Sequence, residues 1–116
     1  MAEYIYGRRK ELQVGEFLER RRFKWERSQG SRGPIDLVAQ RGSTKIAIQV
    51  KATRKDYTSY TKLTIDGESR LIKAAKRINA TPVLALVSKN YLWLVSVPDN
   101  EILLKGKLRK LKYDYE

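Results

Sequence analysis

Asp36, Gln49 and Lys51 stand in the stretch Gly33-Pro-Ile-Asp-Leu-Val-Ala-Gln-Arg-Gly-Ser-Thr-Lys-Ile-Ala-Ile-Gln-Val-Lys51, two apolar runs broken by polar groups and turning near Arg41-Gly42-Ser43. Side chains alternate along a strand, so Ala47, Gln49 and Lys51 share one face while Ile46, Ile48 and Val50 share the other. A carboxylate, an amide oxygen and an ammonium gathered on one hairpin can hold a divalent cation and steady the charge of a phosphodiester under attack. The chemistry expected here is metal-dependent hydrolysis of a phosphodiester.

Elements on either side must position these groups. Residues 8–22 are strong helix formers, with Val14, Phe17 and Leu18 on one side at helical period. Glu11 joins that side through the set Glu11, Val14, Leu18. At about 100° per residue Glu16 falls roughly opposite, so Glu11 is aimed at the sheet and Glu16 is expected in solvent. Residues 23–27 read as a short strand, and Ser28-Gln-Gly-Ser-Arg-Gly-Pro34 as a loop. Past the hairpin, residues 57–64 form a hydroxyl-rich connection. Residues 68–79 then carry Leu71, Ile72, Ala75 and Ile78 on one helical face. Pro82 is expected to break whatever precedes it, and residues 83–87 and 92–97 are apolar, β-branched runs that suit buried strands. The predicted order is α-β-β-β-α-β-β within one domain, residues 1–116. The basic segment 103–116 is left open as a last strand, a short helix or an arm.

The charge balance names the class of partner. Against 13 Asp+Glu the chain has 25 Lys+Arg, a net charge of +12 on 116 residues, which favours binding a polyanion by counterion release. No apolar run approaches the roughly 18 to 20 residues needed to span a bilayer, and no signal-peptide core is present, so a cytoplasmic, nucleoid-associated location is expected. The absence of Cys and His excludes disulfides, thiolate sites and imidazole as ligand or base. Catalysis falls to carboxylates, lysines, hydroxyls and metal.

With Glu11, Asp36, Gln49 and Lys51 in place, the chain resembles the PD-(D/E)xK nuclease superfamily and, within it, the archaeal Holliday junction resolvases. The likeness covers about residues 7–97. It rests on Gly7 four residues before Glu11, on Arg27 before the loop ending Ser31-Arg32-Gly33, and on Pro34-Ile-Asp36-Leu-Val-Ala39. It continues through Ile46-Ala-Ile-Gln49-Val-Lys51-Ala-Thr53 and Pro82-Val-Leu-Ala85. The resemblance implies a restriction-endonuclease-like three-layer α-β-α domain with a central mixed sheet. It further implies a metal set of Asp36, Gln49, a backbone carbonyl near Val50 and Glu11, with Lys51 as catalytic lysine and Ser31 near the scissile phosphate. Mg²⁺ is the implied cofactor, with Mn²⁺ substituting, and the implied products carry 5′-phosphate ends. Gln49 departs from the usual Glu or Asp, although some relatives also carry Gln-Val-Lys. An amide oxygen ligates a hard cation without supplying charge.

Arg8, Arg9, Lys10, Arg27, Arg32, Lys55, Tyr57, Tyr60 and Lys62 are the expected DNA contacts, where cations and hydroxyls position a backbone without reading bases. Trp25 and Trp93 fit a core better than a stacking surface, and Tyr113 and Tyr115 lie in the basic terminal segment. Each assignment has a plainer rival: a turn for Asp36, the wet face of a strand for Gln49 and Lys51, a solvated charge for Glu11, a turn serine for Ser31. Three functions stay open. The first is a structure-selective endonuclease cutting four-way junctions as a homodimer, without membrane or nucleotide cofactor. The others are a sequence-reading duplex endonuclease of the same fold and a catalytically weak DNA-binding relative.

Overall fold

A computed structural model of the protein describes residues 2–28, 33–53 and 65–111. Helix α1 (Ala2–Glu19) leads into β1 (Lys24–Arg27) and the hairpin of β2 (Leu37–Arg41) and β3 (Thr44–Thr53). Then come α2 (Ile65–Arg77), β4 (Thr81–Ser88), β5 (Tyr91–Ser96) and β6 (Ile102–Lys107). The strands form one mixed sheet in the order β1-β2-β3-β4-β5-β6. β3 and β4 are parallel, with α2 in the crossover between them, and the remaining neighbours are antiparallel. Gly42 turns the β2–β3 hairpin with φ of 60°, a backbone state that favours glycine.

Strand alternation sorts the core into two layers. Ile46, Ile48, Val83 and Leu94 meet Val14, Phe17 and Leu18 of α1 on one face, while Leu84, Leu86 and Val95 meet Leu71 of α2 on the other. The three-layer α-β-α arrangement expected from the sequence is therefore present. Val14, Leu18, Ile48 and Leu71 are fully buried, each contributing about 1.5–3 kcal/mol of apolar burial. No helix among the described residues is long and apolar enough to cross a membrane.

Both helices end on a left-handed residue. After α1, Arg22 has φ of 71° and the Phe23 N–H reaches back to the Leu18 carbonyl at 3.0 Å; after α2, Asn79 has φ of 55° and the Ala80 N–H reaches the Ala75 carbonyl at 2.9 Å. That closure stops α1 at Glu19, short of the expected residue 22. Arg21 is drawn inward there, its guanidinium 3.6 Å from the centre of the Phe17 ring.

Four further expectations need correction. The order has one strand more than predicted, since Ile102–Lys107 pairs antiparallel with β5, and this settles the start of the basic segment as a strand. α1 begins at Ala2 rather than residue 8. Pro82 lies inside β4, opposite Ala47; as the second residue of the strand its missing N–H is tolerated. Glu16 is buried, because α1 is enclosed around most of its circumference, with all of residues 12–18 buried.

Candidate active site

The ladder between β2 and β3 ends at Leu37 opposite Ile48. One step further, the Asp36 N–H still donates to the Ile48 carbonyl at 2.7 Å, after which β2 leaves β3. The next N–H of β3, that of Val50, takes the Asp36 carboxylate as its acceptor, at 2.8 Å from Oδ2. Asp36 is thus fixed where an apolar strand loses its neighbour. Val50 serves the site through its N–H, a contribution no sequence pattern displays.

Gln49 lies between these two bonded positions. It is paired with Leu84 of β4, and its Oε1 is the only buried side-chain oxygen or nitrogen among the described residues without a hydrogen-bond partner. A buried amide oxygen left unsatisfied costs about 1–3 kcal/mol, so this position calls for a donor or a cation. Lys51, two residues on, shares the Gln49 side of β3 and is exposed. Its charge acts on Asp36.

Glu11 enters from the α1 layer. Its Oε1 meets Nη2 of Arg27 at 3.4 Å, a pair that fastens the helix to the last residue of β1. Burial raises the Glu11 carboxyl above its usual range and the nearby Asp36 charge raises it further, while Arg27 and Arg8 pull it down. Burial likewise raises Asp36, against the Val50 N–H and the charges of Lys51 and Arg27. Two partly desolvated carboxylates and an unpartnered amide oxygen form an all-oxygen donor set, which suits a hard divalent cation. The described residues gather no group of three or more His, Cys, Asp or Glu, so a cation held here depends on the amide.

Arg8 is exposed and Arg9 half-buried on α1, and Arg27 is exposed at the end of β1. Lys10 departs from the expectation of a DNA contact. It is buried, and its Nζ donates to the Lys89 carbonyl at 2.7 Å and to Asn90 Oδ1 at 3.5 Å, tying α1 to the β4–β5 turn. Ser31, Arg32, Lys55, Tyr57, Tyr60 and Lys62 lie outside the described residues, as do Tyr113, Tyr115 and all of the connection 57–64. Trp25 and Trp93 pack against the two core layers as expected.

Two contacts that position Glu11 escape the sequence. Gly15 is pressed by the Trp25 ring so closely that a Cβ there would lie 2.5 Å from Cε2, and the indole N–H donates to Glu19 Oε1 at 3.0 Å. Gln13 donates to the Arg109 carbonyl at 2.9 Å. A glycine facing a tryptophan ten residues on was the available sign of the first; nothing in the pattern marks the second. A separate cavity of about 220 Å³, lined by Lys24, Glu26, Val38, Gln40 and Lys45 among others, sits toward the β2–β3 turn and includes none of the site residues.

The model of the archaeal Holliday junction resolvase (Hjc) family matches residues 2–108, nearly all of the chain. The chain belongs to this family. Hjc proteins fall in the PD-(D/E)xK nuclease superfamily, in agreement with the motif that runs from Asp36 to Lys51. Among solved structures the fold is similar to Hjc of Archaeoglobus fulgidus, a Holliday junction resolvase from an archaeal hyperthermophile. The TM-score is 0.66, the identity 24%, and the match covers 87% of this chain and 88% of that one. At that identity the likeness bears on the fold, and the family match bears on kinship.

Proposed function

We propose that this protein is a divalent-metal-dependent endonuclease that resolves four-way DNA junctions by paired hydrolysis of phosphodiesters, leaving 5′-phosphate ends. Kinship with junction resolvases supplies the substrate class. The observation that carries the chemistry is the buried, unpartnered Oε1 of Gln49 beside an Asp36 carboxylate fixed by the Val50 N–H. A solvated strand face would leave that oxygen in water.

In this reading Asp36, Gln49 and Glu11 hold Mg²⁺ or Mn²⁺, with the Val50 carbonyl as a further oxygen. The bound cation supplies Lewis acidity and lowers the pKa of water. Asp36 keeps its orientation through the Val50 N–H, and Arg27 keeps Glu11 turned toward the strands. Lys51 offsets charge that develops on the phosphate and orients the attacking water; an ammonium near a partly buried carboxylate is suited to both. Arg8, Arg9 and Arg27 carry the backbone of the DNA, joined by Arg32, Lys55, Tyr57, Tyr60 and Lys62. The family likeness assigns Ser31 to the scissile phosphate. A four-way junction offers two equivalent strands, so a C2 pair of chains places one site on each.

The test uses a labelled four-way junction and a linear duplex of equal composition, with Mg²⁺ or EDTA, wild type beside Asp36→Asn, resolved on a denaturing gel. Paired, symmetric, metal-dependent nicks confined to the junction are expected. Equal cleavage of the duplex would overturn junction selectivity, and binding without any cleavage would show a DNA-binding relative with inert chemistry.

A further inference from the structure

We infer that this site takes up its divalent cation together with the phosphodiester rather than beforehand, because its third oxygen donor is the neutral amide of Gln49. The inference rests on the metal-nuclease reading above and concerns when the metal arrives.

The charges around the site lead to it. Among the described residues, the donor set holds two negative charges, those of Asp36 and Glu11. Arg27 stands 3.4 Å from Glu11, and the charges of Lys51 and Arg27 both act on Asp36, with Arg8 acting on Glu11 as well. The two carboxylates are therefore offset by at least two cations before any metal enters. A dication approaching the free protein meets a cluster with no net attraction, and must still shed part of its hydration shell.

Gln49 is nevertheless built as a donor. Its Oε1 is buried and has no partner, so it is already stripped of water and ready for a cation. A carboxylate at this position would bring a third negative charge next to Asp36, tightening the metal and adding repulsion in its absence. The amide avoids that repulsion and gives up the attraction. The missing charge is one a phosphodiester carries, and Lys51, exposed on the Gln49 side of β3, is placed to meet it. Metal and phosphate then each raise the affinity of the other by the same factor, as linkage requires.

The test measures metal binding directly. Mn²⁺ is titrated into wild type, Gln49→Glu and Asp36→Asn, with unbound Mn²⁺ followed by electron paramagnetic resonance. Titrations run without DNA and with a four-way junction, whose own Mn²⁺ uptake is subtracted. Free wild type is expected to bind at least about tenfold more weakly than free Gln49→Glu, and the junction to tighten wild-type binding by about tenfold or more. Wild type that binds Mn²⁺ equally well with and without the junction overturns the inference, and this arm decides even if Gln49→Glu fails to fold. If wild type with junction binds no more Mn²⁺ than Asp36→Asn with junction, the metal-site reading itself falls. The two failures are therefore distinct.

Discussion

Gly15→Ala probes the contact by which β1 holds the helix that carries Glu11. An added Cβ would lie 2.5, 2.6 and 2.7 Å from three carbons of the Trp25 ring, where ordinary carbon contacts sit at about 3.5–4.0 Å. Ring or helix must retreat by about 1 Å. Alanine gains about 1 kcal/mol over glycine in a helix interior. Forced overpacking costs about 1–3 kcal/mol. Displacing the indole also breaks its 3.0 Å bond to Glu19, worth about 1 kcal/mol. The sum is a net loss of about 1–3 kcal/mol, or roughly 4–12 °C in melting temperature for a chain of this size. Because Gly15 is one turn from Glu11, junction cleavage should also fall by about tenfold or more. Melts by circular dichroism, run with Gly15→Ala, Trp25→Leu and the double variant, give the coupling energy. The double variant should recover at least about 1 kcal/mol relative to additivity. If Gly15→Ala melts above wild type, helix propensity alone has decided and the argument from Trp25 is refuted.

Asp36→Asn should abolish cleavage and keep junction binding, while melting no lower than wild type in EDTA, since asparagine still accepts from the Val50 N–H and removes a buried charge. Its pH dependence follows in sign. Burial raises both Asp36 and Glu11, so the folded state holds these protons more tightly than the unfolded state. The contribution of these two groups to wild-type stability is therefore lowest above their folded pKa values and rises as pH falls toward the ordinary 3.8 and 4.5. The advantage of Asp36→Asn should shrink over that window, and a constant difference in melts across pH would count against a raised Asp36. Gln49→Met should leave stability unchanged or raise it by about 1 kcal/mol while ending cleavage; a marked fall in denaturant midpoint would reveal a structural bond at the amide. Lys10→Met should cost about 1–3 kcal/mol without altering the salt dependence of junction binding, whereas Arg8→Ala should lower that slope by about one, as read by fluorescence anisotropy.

Much of this architecture was legible because polar residues inside apolar strands are conspicuous. Asp36, Gln49 and Lys51 stood out for that reason, and Gly42 marked the hairpin between them. The helical period of Leu71, Ile72, Ala75 and Ile78 likewise announced a face on which Leu71 and Ala75 are fully buried and the two isoleucines partly so. The misreadings share a cause in tertiary enclosure. A period argument assumes a helix with one wet side, so it placed Glu16 in solvent and left Lys10 to DNA, where α1 is in fact buried nearly all round. β6 resisted for the opposite reason. Its residues are mostly exposed, and the inward Gly106 is small where Phe17 approaches to 3.1 Å of its Cβ position, so no apolar alternation marks the strand. Arg22 ends α1 in a left-handed state usually taken by glycine or asparagine, and its side chain gives no notice of it. The role of Val50 is carried by backbone alone.

The fastening of α1 bears on the order in which the chain is made. Glu11 is synthesised early, yet three of the bonds that seat its helix reach forward to Lys89 and Asn90, and to Arg109, at separations of 79, 80 and 96 residues. A nascent chain emerging from the ribosome displays Asp36, Gln49 and Lys51 long before those partners exist. The helix bearing the second carboxylate leans early on Arg27 and Trp25, but its ties to the far side of the sheet close only when residue 109 has been translated. A chain cut short before residue 89 is therefore expected to hold this helix, and Glu11 with it, less firmly than the full chain does.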